Sequence, residues 1–555
     1  MVFERLRKIR LTSLPIHLTK LPTHVVPPYD LLPADDRESG KLSIRPVITS
    51  IRAGTKDLLI FLVPSFLRRS DEQPTLHAVA CLDGLRGYAS FGVFTLHFTD
   101  TFCQMHNMGW GHDENSHYIF QLPFIHFLWT APALVACFFV ISGYVLSYKP
   151  VKLIRARSEQ SLLRTMGSSI FRRGIRLYLP TFFATFITLL LVRAGAFDYS
   201  HWVFVQGGYL SSSEDTPPIF DTFGEQFWHW WGICLRMLWD GGGSDYDPHL
   251  WTIPTEFHGS MLLFVFTVGT SALRTPVRLA LSAALIFYFS WHDSNEIPLF
   301  FGGMFLAEID LVFHEPTTTT TNPSTRPLSS RLRHLWLLPF ATGLYLAGMP
   351  SWDPQITPGY AALMALWPNW FRWHTVGCLL LVWSVRNARD LHPLFTNRFA
   401  QYLGRISYAL YIVHGNVRRS VTYALMPALL AATGGRESKV GFAGTVLVES
   451  VVTYALTFWL ADLFWRAVDL PSIRFARWVE GKCSRRVERV LPVVEMRGEE
   501  ALQAVVVVGA EAEGQIPLVE WRDGRARSSS ERSEDEDAPL LEKGEEGQEE
   551  IESRS

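Results

Sequence analysis

The sequence has few charged residues and few cysteines for its length. Only 19% of its 555 residues are Asp, Glu, Lys or Arg, against about 25% in an average soluble protein. The six cysteines show no Cys-x-x-Cys spacing, so we expect neither a zinc site nor a disulfide framework. Hydrophobic residues make up 48% of the chain. This balance excludes a disordered protein, a small disulfide scaffold and a single soluble domain, and it favours a membrane protein.

Motifs of several protein classes are also missing. The N-terminal stretch has no apolar core followed by a small-residue cleavage site, so we expect no signal peptide. The sequence contains no GxxxxGK[S/T] phosphate loop, no HExxH metal motif and no GxSxG nucleophile elbow. We therefore expect no bound cofactor, no metal site and no nucleic-acid partner.

Charge divides the chain into regions. Residues 491–555 contain 18 acidic and 7 basic residues, a net charge of −11, so with −2 for the whole chain the rest carries +9. Such a tail cannot bury enough apolar surface to offset chain entropy, which predicts disorder. Four regions are predicted: an N-terminal cytoplasmic segment (1–80), a transmembrane domain (81–470), a basic juxtamembrane segment (471–490) and an acidic tail (491–555).

Ten apolar runs are long enough to be candidate membrane spans. They lie near 85–104, 124–147, 177–193, 251–270, 277–292, 297–313, 334–350, 373–385, 402–417 and 443–465. The shorter apolar stretch 57–66 is predicted to lie at the membrane interface, and the Trp-rich 227–239 either lies flat there or re-enters the membrane without crossing it. Residues 315–330 are predicted to form a polar loop. The fold class is therefore all-α, a polytopic membrane protein with about ten transmembrane helices and the lipid bilayer as its partner.

The charges of the connecting loops predict the orientation. The connection 149–176 holds eight Lys or Arg and one Glu, whereas 105–123 has no Lys or Arg and 194–250 has one Arg. The first is therefore predicted to be cytoplasmic and the other two to face outside. With ten crossings both termini are cytoplasmic. Arg418 and Arg419 do not fit, because this count places them near the outer side.

The first predicted span carries several polar side chains. At about 100° per residue, Asp83, Arg86, Ser90, His97 and Asp100 share roughly one third of the helix circumference. Ionisable groups within a membrane are costly and therefore indicate function. The stripe favours a site in which Arg86 and His97 face one cavity and Asp100 orients the imidazole. The alternative is a local Asp83–Arg86 ion pair and an interior histidine with a structural role.

Three arginines precede the third predicted span. Arg172 and Arg176 are four residues apart, so both guanidinium groups face one side of a helix, and Arg173 is adjacent. Such a pair suits a phosphate-rich ligand at the cytoplasmic mouth of a cavity. Basic residues at a cytoplasmic helix end also arise from topology and anionic lipid alone, and the spacing leaves both interpretations open.

Two further candidates lie in later spans. Glu256 sits near the start of a span and could act as an acid, a base or a histidine partner, or be an exposed interfacial carboxylate. His414 is the penultimate residue of the string LGRISYALYIVHG (403–415), and Arg405 lies near the start of that string. On these residues alone, a proton-coupled transporter fits as well as an enzyme.

Five strings together resemble the membrane-bound acyltransferase type 3 family. They are LDGLRGYASFGVFTLH (82–97), FFVISGYVLSY (138–148), RRGIRLYLP (172–180), LWTIPTEF (250–257) and LGRISYALYIVHG (403–415), in the family's order. The resemblance covers residues from about 80 to 470. The family's ten-helix architecture with both termini cytoplasmic agrees with the loop charges.

The resemblance implies transfer of an acyl group, often acetyl, from the co-substrate acyl-CoA to a hydroxyl of a sugar, lipid or natural product. By the same resemblance, His97 would be the general base, Arg86 its upstream partner, and Arg172 and Arg176 the family's RxxxR pair. Glu256 would match the family's glutamate, although TIPTEF departs from the commoner serine-containing form. Asp100 or Glu256 would hold the imidazole. An inactive relative that acts as a scaffold through the acidic tail is a third reading.

Overall fold

The computed structural model describes residues 61–68, 76, 79–292, 294–313 and 333–484. The predicted 315–330 loop, the acidic tail and almost all of the N-terminal segment lie outside the described residues. The described residues form α-helices and short 3₁₀ and π segments, without a strand. The prediction of an all-α fold is therefore confirmed.

The described part of the chain contains sixteen α-helices. They are α1 (Ala80–Asp100), α2 (Ala131–Arg155), α3 (Glu159–Arg193), α4 (Asp198–Gln206), α5 (Phe223–Trp239), α6 (Thr252–Gly269), α7 (Thr275–Trp291), α8 (Ile297–Phe313), α9 (Leu337–Ala347), α10 (Ala361–Leu366), α11 (Trp370–Asn387), α12 (His392–Thr396), α13 (Arg398–Val417), α14 (Tyr423–Thr433), α15 (Lys439–Phe464) and α16 (Leu470–Cys483). Each of the ten predicted apolar runs overlaps one of these helices, and the Trp-rich stretch belongs to α5.

Three helical segments of the described chain are long and apolar enough to cross a membrane: Ala131–Arg155, Glu159–Arg193 and Lys439–Cys483. Thr275–Trp291 and His334–Ala347 are shorter apolar helices. The number of crossings and the side on which the termini lie stay predictions.

Helices α1 and α13 pack with their backbones almost in contact. A Cβ atom on Gly87 would lie 2.4 Å from the backbone nitrogen of Gly404. A Cβ atom on Gly404 would lie 2.6 Å from the backbone oxygen of Asp83. Glycines permit this approach because they have no side chain, and such small-residue contacts are typical of helix packing in membranes.

The register of this pair stays constant along its length. Ser90 Oγ donates a hydrogen bond to the backbone oxygen of Ser407 at 2.9 Å, and the rings of His97 and His414 stack at 5.5 Å. Each pair is 317 residues apart, so the two helices run parallel. The polar stripe predicted on α1 therefore faces α13, and one histidine of each helix reaches the same end.

Helices α2 and α8 form a second close pair. A Cβ atom on Gly143 would lie 2.2 Å from the backbone oxygen of Phe300, and one on Gly303 would lie 2.1 Å from that of Val140. Buried apolar side chains from both helices join those of α1 and α11 in one cluster. This cluster fixes the position of α1 within the bundle.

The described part of the predicted interfacial stretch contacts α15 and the π segment Trp465–Asp469 that follows it. Ser65 donates its backbone N–H to Asp462 Oδ2 at 2.9 Å, and Arg466 Nη1 donates to the backbone oxygen of Phe61 at 2.6 Å. Trp459 Nε1 donates to the backbone oxygen of Leu62 at 2.8 Å. These hydrogen bonds attach residues 61–68 to the bundle.

Candidate active site

Three histidine rings meet at one end of the α1–α13 pair. His97 comes from α1, His414 from α13, and His249 from the 3₁₀ turn Pro248–Trp251 that leads into α6. Their ring centroids are 4.2 Å apart for His97 and His249, and 4.7 Å apart for His249 and His414. Elements far apart in sequence thus supply one cluster of imidazoles.

Local structure explains how His249 reaches this cluster. Asp247 precedes the turn and accepts hydrogen bonds from the backbone N–H of His249 at 3.1 Å and from its Nδ1 at 2.8 Å. Pro248 occupies the first position of the turn, where no backbone N–H is needed. On α13, a Cβ atom at Gly415 would lie 2.7 Å from Nδ1 of His249. Glycine there leaves the space that the histidine fills.

A carboxylate from the connection between α4 and α5 lies against two of the rings. Glu214 Oε1 is 3.3 Å from Nε2 of His249 and 3.7 Å from Nδ1 of His97. Its second oxygen pairs with Nη2 of Arg418. Glu214 is therefore the carboxylate beside His97, and sequence reasoning had not selected it.

The two arginines that did not fit the loop-charge count belong to this site. Arg418 and Arg419 lie in a π-helical segment after α13 and are almost completely buried. Arg418 Nη1 donates to the backbone oxygen of His97 at 3.1 Å. Arg419 Nη2 donates to the backbone oxygen of Tyr246 at 2.6 Å and lies 3.9 Å from Asp247 Oδ1. They act as counter-ions inside the protein and not as loop charges.

The charges in the connection before α6 stabilise one another. Burial works against a charged imidazole, but the carboxylates of Asp247 and Glu214 outweigh it and raise the pKa of His249. Burial would raise the pKa of Glu214, but Arg418 and His249 oppose it and hold that pKa below its usual range. The pKa of Asp247 is lowered in the same way, because His249 and Arg419 outweigh burial. These shifts favour two carboxylates and an imidazolium.

Only one of the three rings is partly open. The side chain of His97 is 19% exposed, that of His249 is 6% exposed, and His414 is completely buried. Nδ1 is the buried nitrogen of His97, so Nε2 is the nitrogen that a substrate can reach. His97 is therefore the ring of the cluster best placed for chemistry.

The cluster also has a donor set that a metal ion could use. One ring nitrogen from each histidine lies within 4.8 Å of the other two. Zinc bonds of about 2.0–2.1 Å would place tetrahedral ligand nitrogens roughly 3.3 Å from each other.

Asp100 has a different partner from the one predicted. Its Oδ1 lies 3.1 Å from Nε2 of His106, which follows α1. The prediction that Asp100 orients His97 is therefore wrong for this arrangement. His97 and Asp100 are three residues apart and lie side by side on the helix, but their partners differ. Asp100 lies beside His106, and His97 lies beside Glu214.

Glu256 lies in a second cluster, with Arg173 and two serines. It pairs with Arg173 Nη2 and accepts a hydrogen bond from Ser142 Oγ. Arg173 Nε donates to Ser260 Oγ at 3.0 Å. The prediction that Glu256 could hold the imidazole is therefore also wrong: its partners are a guanidinium and a hydroxyl, and it is neither exposed nor beside His97.

Arg86 connects α1 with α13 near this second cluster. It lies 3.3 Å from Asp83 Oδ1, donates to Ser407 Oγ at 3.0 Å and donates to the backbone oxygen of Gly404 at 2.7 Å. The local Asp83–Arg86 ion pair is therefore present. Arg86 also interacts electrostatically with Glu256, which places the guanidinium within the same charged region.

The three arginines of α3 are divided between two sides. Arg172 Nε lies 3.2 Å from Glu480 Oε2 on α16. Arg176 interacts electrostatically with Asp469 in the π segment before α16. The i,i+4 spacing thus does turn Arg172 and Arg176 toward one neighbouring segment. Arg173 points elsewhere, toward Glu256.

Five residues of the histidine site were missed by the sequence reasoning: Glu214, Asp247, His249, Arg418 and Arg419. For the two arginines a signal existed, because they contradicted the loop-charge count. For Asp247 and His249 the capping string Asp-Pro-His was available. Glu214 stands in a polar loop sequence that carries no such signal.

Comparison with known proteins gives a consistent result. Residues 79–466 match the acyltransferase type 3 family, described as an acyltransferase domain. The O-acetyltransferase PaAT-1 of Phomopsis amygdali is 30% identical over 461 residues, which cover 77% of this chain and 90% of that protein. Acyltransferase clz18 of Cochliobolus lunatus is 26% identical over 476 residues, 76% of this chain and 97% of that protein. No solved structure matches the chain.

Proposed function

The chain belongs to the acyltransferase type 3 family and is an acyltransferase, and on that premise we propose that it transfers an acyl group from acyl-CoA to an acceptor hydroxyl. The acyl group proposed first is acetyl, since one relative is named an O-acetyltransferase. The acceptor is a sugar, a lipid or a natural product. One observation carries this proposal: the parallel α1–α13 pair joins a partly open histidine to an arginine-rich region.

The spacing of the two regions suits a long donor. Arg86 and His97 are eleven residues apart on α1, which is about 16 Å at 1.5 Å per residue. The phosphates of coenzyme A would bind near Arg172, Arg173 and Arg176, and its pantetheine arm would extend along the helix pair past Arg86. The thioester would then reach the histidine cluster.

The proposed reaction uses His97 as a general base. Its Nε2 takes the proton of the acceptor hydroxyl while the hydroxyl oxygen attacks the thioester carbonyl carbon. The tetrahedral intermediate collapses, the carbon–sulfur bond breaks, and the imidazolium returns the proton to the leaving thiolate. The products are the ester and free coenzyme A. General-base catalysis of this kind contributes typically about 10²–10⁴-fold.

Positive charge near His97 supports the same step. The Arg418 guanidinium and the His249 ring lie beside it, and negative charge develops on the carbonyl oxygen as the hydroxyl attacks. Fixed positive groups stabilise such a charge in a water-poor site without reorganisation.

The direct test is a transfer assay with purified protein. Protein in lipid nanodiscs is mixed with radiolabelled acetyl-CoA and a panel of sugar, lipid and natural-product acceptors. We expect acceptor-dependent release of free thiol and a labelled ester. Solute uptake into proteoliposomes without acyl-CoA consumption would instead support a transporter. Absence of both activities across the panel and across acyl chain lengths would leave the scaffold interpretation.

Replacing Arg172 and Arg176 together by Gln should weaken donor use more than acceptor use. Charge-assisted hydrogen bonds are worth roughly 1.5–3 kcal/mol each, so losing one should raise the half-saturating donor concentration about tenfold or more. Lys at both positions should restore only part of the lost donor binding, because the point charge of an ammonium group replaces the planar guanidinium group, which can donate two parallel hydrogen bonds. Saturation curves for donor and acceptor measure both effects.

The control for this pair is Arg274→Gln, an exposed arginine before α7 that should leave both curves unchanged. A glycosylation tag checks the orientation of every variant. Full activity of the Lys pair, together with an inverted or mixed orientation of the Gln pair, would contradict donor binding and leave only a topological role for Arg172 and Arg176.

Deletion of residues 491–555 should leave transfer intact. The family match ends at residue 466, and the tail has the composition of a solvated segment. Turnover and membrane insertion of the truncated protein are compared with those of the full chain. Normal insertion without turnover would show that the tail completes the site.

A further inference from the structure

We propose that Glu214 is the positioning residue for His97, and that His249 and Asp247 hold Glu214 in place. The inference rests on the proposed acyl transfer and adds a relay of four side chains to it. The relay would make the catalytic strength of His97 depend on a loop that lies more than 100 residues away in sequence.

The contacts form a continuous chain. Asp247 Oδ1 is 2.8 Å from Nδ1 of His249, whose Nε2 is 3.3 Å from Oε1 of Glu214. The same Oε1 is 3.7 Å from Nδ1 of His97. This order alternates acceptors and donors: carboxylate, imidazole, carboxylate, imidazole.

The alternation fixes the tautomer of His97. Nδ1 of His249 donates to Asp247 and its Nε2 faces Glu214, so a proton on each nitrogen of this ring suits both carboxylates and leaves Glu214 able to accept from His97. A carboxylate opposite Nδ1 of His97 places the proton on that nitrogen and leaves the lone pair on Nε2. Nε2 is the nitrogen on the open side of the ring. The separation of 3.7 Å exceeds a direct hydrogen bond, and catalytic contacts of this kind commonly shorten when substrate binds.

Glu214 is held from two further sides. Its Oε2 pairs with Arg418, which also donates to the backbone oxygen of His97. Its backbone N–H donates to the hydroxyl of Tyr423 at 3.0 Å. Arg418 and Tyr423 both follow α13, so the segment after that helix ties the loop carboxylate to the α1 histidine.

The same charges argue against a metal ion among the three rings. The guanidinium of Arg418 pairs with Glu214 and donates to the backbone oxygen of His97, so it already supplies positive charge beside the rings. One ring nitrogen from each histidine lies within 4.8 Å of the other two, whereas zinc bonds of about 2.0–2.1 Å would require separations of roughly 3.3 Å. A proton relay fits this spacing and charge better.

The first experiment compares Glu214→Gln with Asp215→Asn. The first variant keeps the shape of the side chain and removes the carboxylate, whereas Asp215 is an exposed neighbour in the same loop. We expect kcat of Glu214→Gln to fall by up to about 10⁴-fold, the loss found when the carboxylate that orients a catalytic histidine becomes an amide. The half-saturating donor concentration should stay close to wild type. Asp215→Asn should retain full activity.

A second experiment distinguishes a carboxylate function from a structural one. Glu214→Ala leaves space for a small acid, so added formate should restore a large part of the lost kcat. Formate should not rescue His97→Ala, which lacks the base itself. Loss of activity in Glu214→Ala without any rescue, combined with normal activity of Glu214→Gln, would overturn the proposal.

A third variant tests the relay with every polar group retained. Gly415→Ala puts a Cβ atom 2.7 Å from Nδ1 of His249 and 3.0 Å from Oδ1 of Asp247. We expect kcat to fall, whereas Gly444→Ala on α15, where a Cβ atom meets nothing within 4 Å, should be neutral. If the Glu214 variants fail to fold, the comparison of Gly415→Ala with Gly444→Ala tests the relay instead. An unchanged kcat in Gly415→Ala would contradict the relay.

Metal analysis of the purified protein supplies an independent outcome. Stoichiometric zinc that is lost in His414→Gln would make the histidines ligands and overturn the relay. All comparisons are ratios to the wild-type protein with whichever donor it uses. A wild-type protein without activity on acyl-CoA would therefore count against the proposed donor, and not against the relay.

Discussion

His97→Ala lowers the rate of acyl transfer by about 10²–10⁴-fold, the usual contribution of a general base. That loss corresponds to roughly 3–5 kcal/mol at 1.36 kcal/mol per decade. The expectation rests on the position of His97, the most exposed ring of its cluster, with Glu214 near Nδ1 and Arg418 bound to its backbone oxygen. Initial rates of thiol release in nanodiscs measure the effect.

The matched control is His117→Ala. His117 lies in the connection between α1 and α2 and is exposed, so its loss should leave the rate unchanged. Thermal unfolding of both variants should resemble that of the wild type, since alanine at either position removes little buried apolar surface. Near wild-type turnover of His97→Ala would make His97 a packing residue and require another base.

Arg278→Met destabilises the protein by about 3–5 kcal/mol, the usual cost of leaving one partner of a buried ion pair unpaired. Arg278 on α7 and Glu308 on α8 are almost completely buried, and Nε of Arg278 donates to Oε2 of Glu308 at 2.9 Å. Neither residue contacts the histidine cluster or the α3 arginines within the described residues. We therefore expect normal specific activity in the fraction that folds, and a lower midpoint in denaturant unfolding.

The double variant Arg278→Met with Glu308→Leu should recover much of that stability, because no charge then remains buried. Recovery should be incomplete, since Arg278 also donates to the backbone oxygen of Leu273 at 3.2 Å. Arg274→Met, at an exposed position next to the same helix, should have little effect. Equal stability of the single variant and the wild type would show that Glu308 is protonated or hydrated when alone.

The polar stripe of the first span could be predicted because helical periodicity is a local property. Arg86, Ser90 and His97 lie on the face of α1 that contacts α13, as 100° per residue requires. His414 was selected from weaker evidence and lies in the same cluster. What the spacing could not provide was the identity of the neighbours.

The partners of His97 were predicted wrongly for a physical reason. The sequence pointed to two carboxylates. Asp100 lies about one helical turn after His97, and Glu256 matches the family's glutamate in the string LWTIPTEF. Each is instead paired with a cation or imidazole of its own, His106 or Arg173. A buried carboxylate pairs with the donor that tertiary packing places nearest to it. The spacing of residues along one helix does not specify that packing.

Arg418 and Arg419 show what a failed expectation can indicate. By loop charge they stand on the unfavourable side of the membrane, and the structure buries them against Glu214 and Asp247. An arginine that contradicts the positive-inside bias is therefore a candidate for an internal ion pair.

The sequence by itself determined the helical, apolar character of this chain, the polar stripe on α1 and the family to which it belongs. These follow from composition and from residues within a few turns of one another. Only the tertiary structure decided that Glu214, His249 and Arg418 surround His97, and that Glu256 belongs with Arg173. Those contacts join residues more than 80 positions apart. They depend on the close approach of helices at Gly87 and Gly404 and on the folding of a long connection, and no local pattern specifies either.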